Sequence, residues 1–422
     1  EWVSTKPTHW EWTRLGHIAK IYAGGTPSKD NPDYWGGNIP WLNSGCVNQW
    51  LIKEPSEFIT EEGYKGSSAR WVPKGSLVMA LAGQGKTKAM VAQLDIEATC
   101  NQSMAAIIPS EGDPRYLLYW LTAKYKNIRG MASDDTRDGL NLTMLGQIPV
   151  PIPPIDEQKN IAAHLDVETA RIDTLITEKE GLIILLKEWR QSVIADAVTK
   201  GLDKSAPMKA SGVDWLGETP AHWKVKSLKH LGLFKAGAGF PVEEQGKTGN
   251  PLPFFKVKDI DGSNVDGVIY ETDSTITYEV ASSLGAKVFP PNSIVFAKVG
   301  AALLLNRFRL LGTHSCIDNN MMGFILDDTK AVFRFMYWSM QRIKFSEIVN
   351  PGTVPSLNEP MISNLKIAIP PLEEQKAIAA HLDSESVRIE SLIVHTTEEI
   401  ELLKELRAAT IADAVLGRVK VI

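Results

Sequence analysis

Ile152-Pro-Pro-Ile-Asp-Glu-Gln-Lys-Asn-Ile-Ala-Ala-His-Leu-Asp166 returns 217 residues later as Ile369-Pro-Pro-Leu-Glu-Glu-Gln-Lys-Ala-Ile-Ala-Ala-His-Leu-Asp383. At that offset, residues 152–198 match 369–415 at 28 of 47 positions without a gap. Chance would give about 3. The stretches between repeat faintly. The chain is therefore a tandem duplication, globule, segment, globule, segment, with segments alike and globules diverged. The boundaries fall at 1–150, 151–200, 201–368 and 369–422.

The well-matched segments predict two long helices. Pro154 and Pro371 suit a first turn. Asp156, Glu157, Glu373 and Glu374 place negative charge where the helix dipole favours it. Lys200-Gly201 and Gly417-Arg418 mark the stops. Apolar residues recur at spacings of 4 and 3, the pattern of a coiled-coil seam. In the first helix the seam runs Ile161, Leu165, Ile172, Leu175, Leu182, Leu186, Trp189 and Val193. In the second it runs Ile378, Leu382, Ile389, Leu392, Ile400, Leu403 and Leu406. About 43 residues at 1.5 Å each make a rod of roughly 65 Å. A lone rod with one apolar stripe would aggregate, so the two are expected to pack antiparallel on each other. The fold class is α+β: two mixed α/β domains separated by two long antiparallel helices, with pseudo-twofold internal symmetry. The shared tryptophans, Trp10 with Trp223 and Trp120 with Trp338, are expected in the cores.

Net charge is −5 over 422 residues, but it is unevenly spread. Residues 1–150 are neutral and 201–368 carry +2, whereas 151–200 carry −3 and 369–422 carry −4. The acidity, which disfavours contact with DNA phosphates, lies in the two helices and not in the globules. Three scattered cysteines, Cys46, Cys100 and Cys316, make neither a disulfide framework nor a zinc site. No apolar run approaches the roughly 20 residues that span a bilayer. No signal peptide opens the chain, and a cytoplasmic protein without membrane contact is expected. The sequence starts at Glu1 without an initiator methionine, and a few residues are expected before it.

Taken together, several motifs resemble the specificity subunits of type I restriction–modification enzymes. They are the Pro-Pro-(Ile/Leu)-(Asp/Glu)-Glu-Gln-Lys helix starts at 153–159 and 370–376, and the Ala-His-Leu-Asp continuations. The Trp-Leu-Gly-Glu-Thr-Pro-Ala-His-Trp run at 215–223 and the Ile-Ala-Asp-Ala-Val exits at 194–198 and 411–415 complete the set. The resemblance covers the whole chain. It implies that each globule is a target recognition domain reading half of a split double-stranded DNA sequence. It also implies that the helices dock two modification (methyltransferase) subunits, through which restriction and motor subunits join. No catalysis and no cofactor are implied for this chain itself. The duplication agrees: segments that stay alike suit a frame or a repeated partner, and globules that diverge suit two readers of different sequences.

Other chemistries have weaker signals. Ala80-Leu-Ala-Gly-Gln-Gly-Lys-Thr87 nearly spells a phosphate-binding loop, but Ala80 replaces its first glycine and no helix is predicted after Thr87. Asp113-Pro-Arg-Tyr116 approaches the Asp-Pro-Pro-Tyr with which adenine methyltransferases hold a flipped base, yet Arg115 replaces the second proline. A nucleotide hydrolase or a fused methyltransferase is thus the competing class, and a duplicated scaffold without DNA is a third. His164 and His381 repeat without a second ligand at metal spacing, and no metal is expected. Asp196 and Asp413 repeat beside alanines and suit helix packing or docking. DNA contacts are expected from divergent polar loops: Asn43, Ser44, Lys86, Thr87, Lys88, Arg129 and Arg137 in the first globule. In the second they are Lys256, Lys258, Lys298, Asn306, Arg307 and Arg309. Lys and Arg suit phosphates and guanine edges, and Asn suits adenine.

Overall fold

The computed structural model describes residues 2, 6–83, 85–132, 139–261, 266–349 and 354–421. The chain divides into two compact units, each described by itself. One comprises Glu1–Lys179 with Glu399–Ile422, the other Glu180–Glu398. The division cuts both long helices, Ile155–Lys200 and Leu372–Val415.

In the first unit a five-stranded sheet has the order Ala19–Ala23, Met104–Pro109, Leu77–Ala80, Val91–Leu94, Leu51–Ile52. All its pairings are antiparallel except the last. A three-stranded sheet joins Glu57–Ile59, Trp35–Leu42 and Thr99–Cys100, and Glu11–Arg14 pairs with Pro149–Ile152. The second unit repeats this strand for strand. Its five-stranded order is Gly232–Ala236, Met321–Leu326, Ile294–Ala297, Phe308–Leu311, Val268–Ile269, with the same parallel pair at the end. The globules that diverged in sequence kept one topology.

The central strands explain why. Leu77–Ala80 is buried throughout, and strand alternation sends its side chains two ways. Leu77 and Met79 join the core under the helix Pro114–Ala123, while Val78 and Ala80 join a second core on the other face. Ile294 with Phe296 and Val295 with Ala297 divide in the same way in the second unit. Trp10, Trp120, Trp223 and Trp338 are all core residues.

Each globule is closed by the start of one long helix and the end of the other. Ile161, Ala162 and Leu165 enter the first core together with Ile411, Ala414, Val415 and Leu416. Ile378, Ala379 and Leu382 enter the second together with Ile194, Ala197 and Val198. That accounts for the repeated Ile-Ala-Asp-Ala-Val exits: the isoleucine, the second alanine and the valine are core. Asp196 and Asp413 make local ion pairs at the helix ends, with Lys200 at 2.9 Å and Arg418 at 3.2 Å. Gly201 and Gly417, with φ of 76° and 65°, take the left-handed turn that stops each helix.

The helices run antiparallel within each unit. Asp173 pairs with Arg407 at 2.8 Å and Lys179 with Glu399 at 2.6 Å in the first; Arg190 pairs with Glu390 at 2.9 Å in the second. The seam differs from the apolar stripe of the sequence by one residue over half its length. Ile161, Leu165, Ile172, Leu186, Ile378, Leu382 and Ile389 are buried, and Leu175 and Leu403 are half-buried. Leu182, Trp189 and Leu392 are instead 43%, 41% and 42% exposed. Their neighbours Ile183, Arg190 and Ile393 are half-buried in their stead. The 4–3 rhythm runs through Leu165, Thr169, Ile172, Ile176, Lys179, Ile183, Leu186, Arg190 and Val193. Three of these nine are polar, which is why an apolar stripe misplaced it. Each polar member is satisfied: Lys179 and Arg190 by their ion pairs, and the Thr169 hydroxyl by the Leu165 carbonyl at 2.6 Å.

The two leucines of this stretch should therefore respond differently. Leu186→Lys places an ammonium at a position 8% exposed and should cost about 2–5 kcal/mol. Leu182→Lys should stay within about 0.5 kcal/mol. Urea unfolding followed by circular dichroism checks this, and equal midpoints for the two variants would refute the one-residue shift. Among the described residues, no helix is long and apolar enough to cross a membrane.

Candidate nucleic-acid interface

The motif that repeats best is a clamp between globule and helix. Glu157, on the first helical turn, accepts from the Trp10 indole at 3.1 Å and meets His9 Nε2 at 3.0 Å. Glu374 does the same with Trp223 at 3.0 Å and His222 at 2.8 Å. A Cβ on Gly417 would lie 2.4 Å from Pro7 and 2.9 Å from Trp10, and one on Gly201 would lie 3.1 Å from Trp223. The glycine stops thus seat the same tryptophans. The neighbouring glutamines are buried and bridge two backbones. Gln158 accepts from Asp113 N at 2.8 Å and donates to Pro153 O, while Gln375 accepts from Val332 N at 2.8 Å and donates to Pro370 O.

Two turns further on, Asp166 accepts from the Arg115 guanidinium and from Tyr119 Oη at 2.6 Å. Asp383 accepts from Arg334 and from Trp338 Nε1 at 2.8 Å. Trp338 is therefore the counterpart of Tyr119. Trp120 bonds elsewhere, to Pro149 O at 3.0 Å. Sequence reasoning missed Glu157, Gln158 and Asp166 as a set. Their identity in both copies, beside two His-Trp pairs, was the available signal.

The polar loops take no part in the clamp hydrogen bonds just described. After strand Leu77–Ala80 the chain turns through Gly83, Gly85 and Ala89, all at positive φ. Tyr125 Oη donates to Lys86 O at 2.7 Å, and Arg129 donates to Lys88 O at 3.2 Å and to Tyr125 Oη at 3.3 Å. The short helix Tyr125–Arg129 thus props the loop from below. Lys86 is exposed and Thr87 half-buried, but Lys88 is 8% exposed. Lys88 and Arg129 build the loop, and Lys86 is the basic side chain it presents. Asn43 is exposed and caps the turn Ser44–Asn48, accepting from Gly45 N at 2.9 Å. Arg137 lies outside the described residues.

In the second unit Lys256 lies over the Phe240 ring and donates to Gln245 at 3.0 Å. Lys258 is exposed and bonded to Asp273, which raises the lysine pKa and lowers that of the aspartate. Lys298, Arg307 and Arg309 are half-buried. Asn306 takes a left-handed turn (φ 51°) and accepts from Phe345 N at 2.8 Å, so its side chain holds the loop together.

The enzyme-like motifs resolve into structure. Asp113 caps the helix Pro114–Ala123, accepting from Arg115 N and Tyr116 N at 2.9 Å. The segment after Lys86-Thr87 leads into strand Val91–Leu94, whereas a phosphate-binding loop opens a helix. A cleft of about 470 Å³ in the first unit is lined by Trp50, Lys86, Tyr125 and Arg407 among others, and its lining among the described residues includes no carboxylate or histidine. All three cysteines are buried, and burial pushes the Cys100 thiol up to about 12 and Cys316 to about 11. The folded chain should resist iodoacetamide at pH 8 for these two and react at both in urea, as counted by mass spectrometry. Rapid native labelling of either would contradict their burial.

The family model for the type I restriction modification DNA specificity domain matches the chain twice, at residues 7–182 and 220–402. The chain is 25% identical to the type I restriction enzyme MjaIX specificity subunit of Methanocaldococcus jannaschii, over 98% of this chain and 94% of that one. It is 31% identical to the EcoR124I/EcoR124II specificity subunit of Escherichia coli, over 43% and 45%. A chain solved in work on the complex assembly and conformational transition of the type I R–M system superposes with a TM-score of 0.78 at 18% identity. That match covers 99% of this chain and 100% of that one. The chain belongs to the type I restriction–modification specificity-subunit family, and its two globules are the repeated target recognition domains.

Proposed function

We propose that each globule reads one half of a split double-stranded DNA target in the major groove, with unread base pairs between. One observation carries this reading. The same clamp residues hold the same fold twice, while the polar loops that the fold carries differ between the copies. Identical frames suit a repeated mechanical role, and different loops suit different half-sites, so the target is asymmetric. In this reading residues 1–150 and 201–368 are the readers, and 151–200 and 369–422 are the frame. The chain performs no catalysis. Methylation of adenine and cleavage belong to partners in a cytoplasmic methyltransferase–endonuclease complex.

Two modification subunits, which supply the S-adenosylmethionine chemistry, dock on the helices, and restriction and motor subunits join through them. In support, the helices leave apolar side chains uncovered, among them Ile184, Leu185 and Leu402 at 59%, 62% and 63% exposed. The test is to co-express the chain with its modification subunits and weigh the complex. The bases it methylates are then mapped in a library of random duplexes. Two modification subunits per chain and two short base blocks at a fixed gap are expected. One continuous block, or a one-to-one complex at saturation, would overturn the proposal.

A further inference from the structure

Two turns meet beside the basic loop of each globule, and they meet through the same hydrogen bonds in both. In the first unit the strand Ala19–Ala23 runs into Gly24-Gly25. Gly24 N donates to Met104 O at 3.2 Å and Gly25 N to Cys100 O at 2.8 Å. In the second, Gly237 N donates to Met321 O at 3.1 Å and Ala238 N to Ile317 O at 3.0 Å. A Cβ on Gly24 would lie 1.9 Å from Cys100 O, and one on Gly237 would lie 2.1 Å from Asp318 O. Backbone is thus pressed on backbone, and no side chain fits between. The element pressed upon is a tight turn, Asn101-Gln102-Ser103 or Asp318-Asn319-Asn320. On its other flank it receives the start of the basic loop: Leu81 N donates to Ser103 O, and Lys298 N to Asn320 O, each at 2.8 Å.

A backbone fixed on both flanks is what a base reader needs, because a contact misplaced by 1 Å loses its selectivity. The residues the turns present are Gln102 in one copy and Asn319 with Asn320 in the other, all exposed. Each carries a carboxamide, a donor and an acceptor side by side, which matches the N6 and N7 edge of adenine. The Thr26 hydroxyl donates to Gln102 Oε1 and so orients that amide. The frame is common to both copies and the amides it carries differ in length and number, as two readers of different half-sites require.

We infer that Gln102 in the first globule, and Asn319 with Asn320 in the second, are base-reading residues that contact purine edges, adenine foremost. This rests on the reading proposed above. The test uses the complex with its modification subunits and a pool of duplexes randomised across the target. Gln102→Ala should lower discrimination at one or two bases of one half-site roughly five- to hundred-fold and leave the other half unchanged. Asn319→Ala with Asn320→Ala should do the converse. Gln102→Asn, which keeps the amide and shortens its reach, should fall between wild type and Gln102→Ala. If wild type selects no split target, the underlying reading fails and this inference falls with it. If wild type selects one and Gln102→Ala leaves every base preference unchanged, or weakens all positions of both halves alike, this inference alone is overturned. The positions are exposed, so thermal melts of the variants should match wild type and separate misreading from misfolding.

Discussion

A chain ending at Leu403 is expected to lose the first globule and keep the second. The deleted residues include Ile411, Ala414, Val415 and Leu416, which lie inside the first core. Tyr116 Oη also donates to Val415 O at 3.4 Å, and Arg407 bonds Asp173. Burying a large aliphatic side chain contributes about 1.5–3 kcal/mol. Losing three of them removes roughly 5–9 kcal/mol, against a whole-domain stability of about 5–15 kcal/mol. The second unit comprises Glu180–Glu398, and its core residues all lie upstream of the cut. Hydrogen exchange should show strands Leu77–Ala80 and Met104–Pro109 losing protection while Ile294–Ala297 and Met321–Leu326 keep theirs. Equal protection of all four in the shortened chain would show that the first globule closes without the second helix.

Lengthening both helices together should change the DNA gap and nothing else. The proposed frame acts as a ruler, and its register is fixed by Asp173 with Arg407, Lys179 with Glu399 and Arg190 with Glu390. Four residues inserted after Lys179, with four more before Glu399, leave all three pairings possible and add about 6 Å. That is close to two steps of about 3.4 Å along a DNA strand. The methylated motif should keep both half-sites and gain about two unread positions. Inserting after Lys179 alone sets the Arg190 pair against the other two, and the complex should lose most of its methylation. A doubly lengthened chain that reads different bases, or an unchanged gap, would sink the division between frame and readers.

The helices, their stops and their polarity were legible because 28 matched positions of 47 leave little else to read. The seam was legible to within one residue. Thr169, Lys179 and Arg190 occupy inward positions through partners that a single stripe does not display, so Leu182 and Trp189 looked like better seam members than Ile183 and Arg190. Within the polar loops expected to meet DNA, the sequence could not rank one member above another. Lys86 and Lys88 are alike in sequence, and Tyr125 and Arg129 decide that one is presented and the other buried. Asn306 read as a base contact because nothing local reveals its bond to Phe345 N. Gln102, Asn319 and Asn320 escaped notice because their setting depends on glycines some 80 residues earlier, at Gly24 and Gly237, which come together with them through tertiary structure.

The closure of the first globule by the chain's last turns sets an order of events at the ribosome. The strands of that globule are made first, yet the pocket for Ile411, Val415 and Leu416 stays unfilled until roughly 250 further residues have been joined. At about 5–20 residues per second that wait is between about 10 and 50 s. Throughout it an apolar groove faces solvent beside a growing chain, and the Ile194–Val198 stretch, whose five residues are identical to Ile411–Val415, emerges long before the proper occupant. The half of the molecule that is born first is thus finished last. A holding chaperone, or a transient loan of the wrong helix end, would bridge the interval.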